Sequence, residues 1–181
     1  MKRNSRILQR LTAFPFLLIF LAFLFPLVNI SCSEKVVADP NAYELIFGVT
    51  PETFLGEKEK KVVEEMKKNE PRISEFFEQP VETTAVIVPV IVAVALAALC
   101  AFLSPVGSLA MALAAFVSLW VFIYNLSVTI QTEHYDFLMV KPAVGAYCIT
   151  FLLIIGIAMN LTVIIRTARE KRQEQKTEEL K

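Results

Sequence analysis

The chain has 181 residues, 55% of them hydrophobic, and its mean hydropathy is +0.55. Lys and Arg together number 18 and so do Asp and Glu, giving a formal net charge of zero. A soluble domain of this size buries only part of so large an apolar complement, so the composition excludes an ordinary water-soluble globule and calls for a second apolar environment.

The charges are segregated. Three stretches, residues 11–30, 83–132 and 142–165, contain no charged residue. A bilayer core about 30 Å thick takes roughly 20 apolar residues of helix, so the first and last stretches fit one span each and the middle one fits two. The expected fold is therefore an all-α membrane protein: a four-transmembrane-helix bundle with a small α+β extracytoplasmic domain between spans 1 and 2.

In chain order, residues 1–10 form a basic N-terminus carrying Lys2, Arg3, Arg6 and Arg10, succeeded by span one at 11–30. The same beginning could serve as a lipoprotein signal cleaved before Cys32. Against that, Asn29 stands where such signals place Leu, and the apolar run of about 20 residues exceeds the 7–15 of a signal core. Residues 31–84 form the extracytoplasmic domain. A small hairpin is expected over 29–38, where Ile30, Val36 and Val37 are β-branched. Asp39 before Pro40 reads as an N-cap and first helical position, opening a short helix through Tyr43, Leu45, Ile46 and Phe47 that stops at Gly48. A second helix over 51–69 carries the pairs Glu57/Lys61 and Glu64/Lys68, and a third over 72–79 carries Ile73, Phe76 and Phe77.

Span two is expected at 85–103, with Pro89 in its first turns, and span three at 108–130. Ser104-Pro105-Val106-Gly107 reads as the turn between them, because Pro disrupts helical hydrogen bonding and Gly accepts unusual φ. A short extracytoplasmic loop comes next at 131–142, then span four at 143–165 and a charged tail at 166–181. Basic residues favour the cytoplasmic side. Both ends are basic near the spans, while the segment between spans one and two has seven basic residues against twelve acids. Both termini are thus expected in the cytoplasm of a multi-pass cell-membrane protein.

Few residues invite a chemical reading. Cys32, Cys100 and Cys148 form no CxxC pair, which argues against dithiol redox chemistry. Cys32 is a candidate for lipidation or an intermolecular disulfide. Glu133, His134 and Asp136 are weak metal candidates, because one short loop does not bring ligands together, and a solvated polar turn is the simpler reading. The spans hold no Asp, Glu, Lys, Arg or His, the residues on which proton relays and ion pathways usually depend. Asn125 and Asn160 are intramembrane polar residues suited to hydrogen bonding between helices. Ala93, Ala97 and Ala101, and likewise Ala110, Ala114 and Ser118, repeat small side chains at i+4 and are expected to pack helices closely. Trp120, in mid-span, is expected to fill the bundle interior. No phosphate-binding loop, nucleophile elbow or zinc-helix motif is present in the sequence, no cofactor is implied, and an enzyme is not expected. Basic residues beside spans suit lipid headgroups, not nucleic acid.

The run Phe25-Pro26-Leu27-Val28-Asn29-Ile30-Ser31-Cys32, then Lys35-Val36-Val37 and Tyr43-Glu44-Leu45-Ile46-Phe47-Gly48, resembles a pattern in uncharacterised bacterial four-span membrane proteins. Their last span is similar too, opening with Gly-x-Tyr, here Gly145 and Tyr147, and carrying an Asn, here Asn160. The resemblance implies an architecture and no activity. The layout is also similar to claudin-type tetraspans, in topology only, because the first loop lacks their Trp and paired Cys.

Two functions are compatible with these features. The first is a non-enzymatic structural or interaction protein whose extracytoplasmic domain contacts a membrane or envelope protein. The second is a small transport or channel component, a homo-oligomer using the mild polar residues of spans three and four. A polar lumen would favour the second, and a packed bundle with an apolar patch on the outer domain the first.

Overall fold

In a computed structural model of the chain, the structure describes residues 11–32, 35–47, 64, 84–132 and 138–179. Their elements run α1 (Ala13–Ala22), β1 (Val28–Cys32), β2 (Lys35–Ala38), α2 (Ala42–Phe47), α3 (Thr84–Leu103), α4 (Pro105–Thr132), β3 (Leu138–Pro142) and α5 (Val144–Glu179). Apart from Glu64, which is helical, the helices expected over 51–69 and 72–79 lie outside the described residues.

The fold is mostly helical. Two helices, over Pro105–Thr129 and Val144–Thr177, are long and apolar enough to cross a membrane, and α1 and the apolar part of α3 are shorter. Helix α1 is a correction to a span running through residue 30. It tightens after Ala22, with Leu24 N–H donating to Leu21 O and Phe25 N–H to Ala22 O, and Pro26 then forbids its continuation.

Beyond Pro26 the chain becomes a strand. β1 lies at the centre of a three-stranded antiparallel sheet ordered β2-β1-β3. β1 and β2 form the expected hairpin, with a register shift between Ile30 and Ser31. β3 is a correction, since residues 131–142 read as a loop. It pairs with β1 from Val28 opposite Pro142 to Cys32 opposite Leu138. The sheet therefore joins the two loops at one end of the bundle and is not a domain confined to 31–84.

Helix α2 opens two residues later than Asp39-Pro40 suggests. Asn41 is its cap: Oδ1 accepts from the N–H groups of Tyr43 at 2.9 Å and Glu44 at 3.0 Å, while Glu44 Oε2 accepts from Asn41 N–H at 2.8 Å. This reciprocal capping box satisfies three backbone donors at once.

The turn expected at 104–107 shrinks to Ser104. Ser104 caps α4, its Oγ accepting from Gly107 N–H at 3.3 Å, and Pro105 takes the first helical position, where a missing N–H costs nothing. Gly107 is thereby inside the helix. A β-carbon there would sit 3.6 Å from Cys100 Sγ, an ordinary contact at the mouth of a tight α3–α4 hairpin.

The core is apolar and continuous from sheet to turn. Phe16, Ile19, Phe23, Leu27, Ile30, Ile87, Leu119, Phe122, Ile149 and Leu153 are all essentially fully buried.

Candidate functional site

The residues that depart from plain apolar packing gather in two places, one at the sheet end and one at the turn end. At the sheet end the chain crosses itself repeatedly around Pro26. Leu27 N–H donates to Pro40 O at 2.9 Å, Ala42 N–H to Phe23 O at 3.2 Å, Ala143 N–H to Leu27 O at 2.9 Å and Gly145 N–H to Pro26 O at 2.7 Å. Pro26 also bridges Asn41. The approach of α5 leaves no room for a side chain: a β-carbon on Gly145 would lie 2.6 Å from Pro26 O and 2.7 Å from Phe25 O. The motif residues around Pro26, Tyr43 and Gly145, far apart in sequence, thus meet in one structural knot.

From this knot α1 and α5 run antiparallel, and their second close contact is Phe16 against Gly156, where a β-carbon would meet Phe16 Cζ at 2.7 Å. One turn further on along each helix come Thr12 and Asn160, which therefore lie at the same level. Both are fully buried, as is Ser108 of α4. Asn160 Nδ2 donates to Ser108 Oγ and to Gly156 O, each at 3.0 Å, and Ser108 Oγ donates to Ala97 O at 3.0 Å. Gly156 O can only accept, so the amide nitrogen, not its oxygen, must face it. Three helices, α3, α4 and α5, are joined by the hydrogen bonds of this polar layer.

Among the described residues, Asn160 Oδ1 and Thr150 Oγ1 are the buried side-chain oxygens without a hydrogen-bond partner. The layer is electrically neutral, and Ser108 gives its proton to a carbonyl, which is no base. Its chemistry is hydrogen bonding between helices.

The other sequence-derived candidates are scattered. Ala93, Ala97 and Ala101 are buried, on the side of α3 that faces its neighbours. Ala110 and Ala114 correct the second packing stripe. They are exposed and Ser118 is half-buried, because α4 turns Ala112, Ala115 and Leu119 inward instead. Trp120, 36% exposed, does not fill the interior, and that space belongs to Phe122. Asn125 faces outward and Asn160 inward. Cys32 ends β1, while Cys100 and Cys148 are half-buried and free. Glu133, His134 and Asp136 lie outside the described residues, and among the described residues no group of three His, Cys, Asp or Glu could hold a metal ion.

Sequence reasoning missed Ser108 and Thr12. An isolated hydroxyl in an apolar helix ordinarily bonds its own preceding turn, as Thr162 does to Ala158 O at 2.8 Å, so nothing local marks one that reaches across to another helix. Comparison with known proteins finds no family model, no characterised protein and no solved structure that matches this chain.

Proposed function

We propose that the chain is a four-span integral membrane protein with both termini in the cytoplasm, and that it acts without catalysis, through contact of its extracytoplasmic side with another membrane or envelope protein. One observation carries the reading. Each long apolar helix, and α1 with it, is apolar on its outward side as well as its inward side. Leu17 and Leu21 of α1, Val92 and Leu99 of α3, Val117 and Val121 of α4, and Phe151 and Ile154 of α5 are all exposed. A helix in water keeps its outward face polar, whereas one that is apolar all round belongs in hydrocarbon.

The second part rests on the contrast between interior and sheet end. The interior is filled by large apolar side chains, which suits a scaffold better than a conduit. Val36, Tyr43 and Met139 at the sheet end are exposed, and they offer apolar contact area in a part of the molecule that stands outside the bilayer in this reading. The resemblance to uncharacterised four-span proteins belongs to the same proposal.

Orientation is tested in intact cells with an impermeant thiol reagent, in a background lacking native cysteines. Lys141→Cys labels from outside and Arg169→Cys does not. Protection of position 141 with labelling of position 169 would overturn the orientation. A photo-reactive residue replacing Met139 is expected to cross-link a protein in the membrane fraction, and one replacing Phe151 lipid alone. Lipid alone at both positions removes the contact role.

A further inference from the structure

Helix α5 does not end where its apolar sequence ends. It runs unbroken for 36 residues, Val144–Glu179, while the last buried residue among its described side chains is Val163. The polar layer sets Asn160 level with Ser108, so the helix passes the α3–α4 turn at Ser104 within about one further turn and then has no neighbour among the described residues. Its charged extension is nonetheless patterned.

The outward stripe of the span is Tyr147, Phe151, Ile154, Ala158, Leu161 and Ile165, in alternating steps of four and three, and all six are exposed. Five full turns of helix take about 18 residues, so Arg169, Arg172 and Lys176 stand in line with Phe151, Ile154 and Ala158 of that stripe, with Arg166 beside them, and these four are exposed too. The inward stripe, Leu153, Gly156, Asn160 and Val163, continues instead to Thr167 and Glu170. Arg169, Arg172 and Lys176 therefore stand over the side of the helix that faces hydrocarbon, whereas Glu170 and Lys171 stand over the side that faces the bundle.

We infer that this side of α5 is a binding site for an anionic phospholipid, with acyl chains along Ile154, Ala158, Leu161 and Ile165 and the phosphate on Arg166, Arg169 and Arg172. The inference rests on the four-span reading. Its dimensions fit: Tyr147 to Arg166 is about 28 Å of helix, close to the roughly 30 Å of a bilayer core, with a tyrosine at one interface and arginines at the other. Guanidinium groups hold phosphate oxygens by paired hydrogen bonds, and anionic headgroups concentrate on the cytoplasmic side, where these residues stand. A second copy of the chain is the less suitable occupant. Copies in one membrane run parallel, so pairing along this stripe would set Arg169 on Arg169 and Arg172 on Arg172. An acidic protein segment would meet charge beyond Ile165 but no apolar seam, because the stripe there is basic throughout.

The test uses the full chain reconstituted into bilayers of phosphatidylcholine mixed with an equal part of phosphatidylglycerol, then extracted gently for native mass spectrometry of retained lipid. The parent protein retains phosphatidylglycerol in preference to phosphatidylcholine. Replacing Arg169 and Arg172 with Gln lowers that retention about thirtyfold, at roughly 1 kcal/mol of surface attraction per basic residue. Lys171→Gln, which removes a charge on another side of the same turn, leaves it unchanged. Equal retention of both lipids by inserted protein overturns the inference and spares the four-span reading. Loss with Lys171→Gln as large as that of either arginine alone also overturns it, because attraction is then diffuse. So does an acidic protein that co-purifies and is lost with Arg169 and Arg172 while lipid retention stays. Failure of the parent protein to insert removes both readings.

Discussion

Asn160 is held by its nitrogen and left open at its oxygen. Nδ2 spends both hydrogens, on Ser108 Oγ and Gly156 O, while Oδ1 is buried and has no partner. The two ends of this pair should therefore respond differently to truncation. Ser108→Ala removes the acceptor for one amide hydrogen and leaves that hydrogen buried, at a cost of about 1–3 kcal/mol. Asn160→Leu, of similar volume, removes the unpaired acceptor along with the donor, and Ser108 keeps its bond to Ala97 O, so stability should hold or rise. Thermal unfolding of both variants in detergent measures the order. A larger loss for Asn160→Leu means that Oδ1 is satisfied in the membrane by something worth more than the exposed cost. Asn160 is legible in the sequence because an amide is conspicuous in a charge-free stretch. Its partner is not, since serine is common in such helices and its reach to another helix depends on packing.

At the scale of elements, periodicity locates the apolar helices better than it orients them. The two small-residue stripes, at Ala93, Ala97 and Ala101 and at Ala110, Ala114 and Ser118, have the same spacing and opposite fates. The first is buried, while Ala110 and Ala114 of the second face outward and Ser118 is half-buried. Small residues permit close approach without requiring it, and which face of α4 turns inward is decided by Leu119 and Phe122, whose volumes fill the core. The two stripes make a matched experiment. Ala97→Phe inserts a ring where Ser108 and α4 approach the α3 backbone, and overpacking there costs about 1–3 kcal/mol or more. Ala114→Phe adds the same ring to an outward surface and should cost less than about 0.5 kcal/mol. Both are compared by aggregation temperature after detergent extraction. Equal tolerance at position 97 would mean that α3 does not pack on α4 as described. The turn shows the opposite kind of error. Ser-Pro-x-Gly reads as a four-residue break, yet Ser with Pro is also the signature of a helix start, and with Ser104 as cap the second helix begins at once.

At the scale of the whole molecule, the sheet is what no local signal announces. β1 and β3 lie more than a hundred residues apart, and Leu138-Met139-Val140 alone reads equally well as loop; only the pairing across both loops makes it a strand. That pairing also bears on whether the first apolar segment is retained. Cleavage before Cys32 would remove Val28, Asn29, Ile30 and Ser31 from β1. β2 and β3 each pair with β1 and not with each other, so the sheet would lose the strand that joins it. Phe16, Ile19 and Phe23 would leave the core as well, and Gly156 would face the space of the lost Phe16 ring. Losing even one such side chain from a packed interior costs about 3–5 kcal/mol, a large share of the roughly 5–15 kcal/mol that holds an ordinary domain together. The mature protein is therefore expected to retain residues 11–31 joined to Cys32. Intact-mass measurement of protein purified from membranes checks this directly, together with a peptide that spans residues 27–35 without interruption. A diacylglycerol adduct on Cys32 with the preceding residues missing would contradict it, and would require α3 and α5 to close over the space that α1 occupies here.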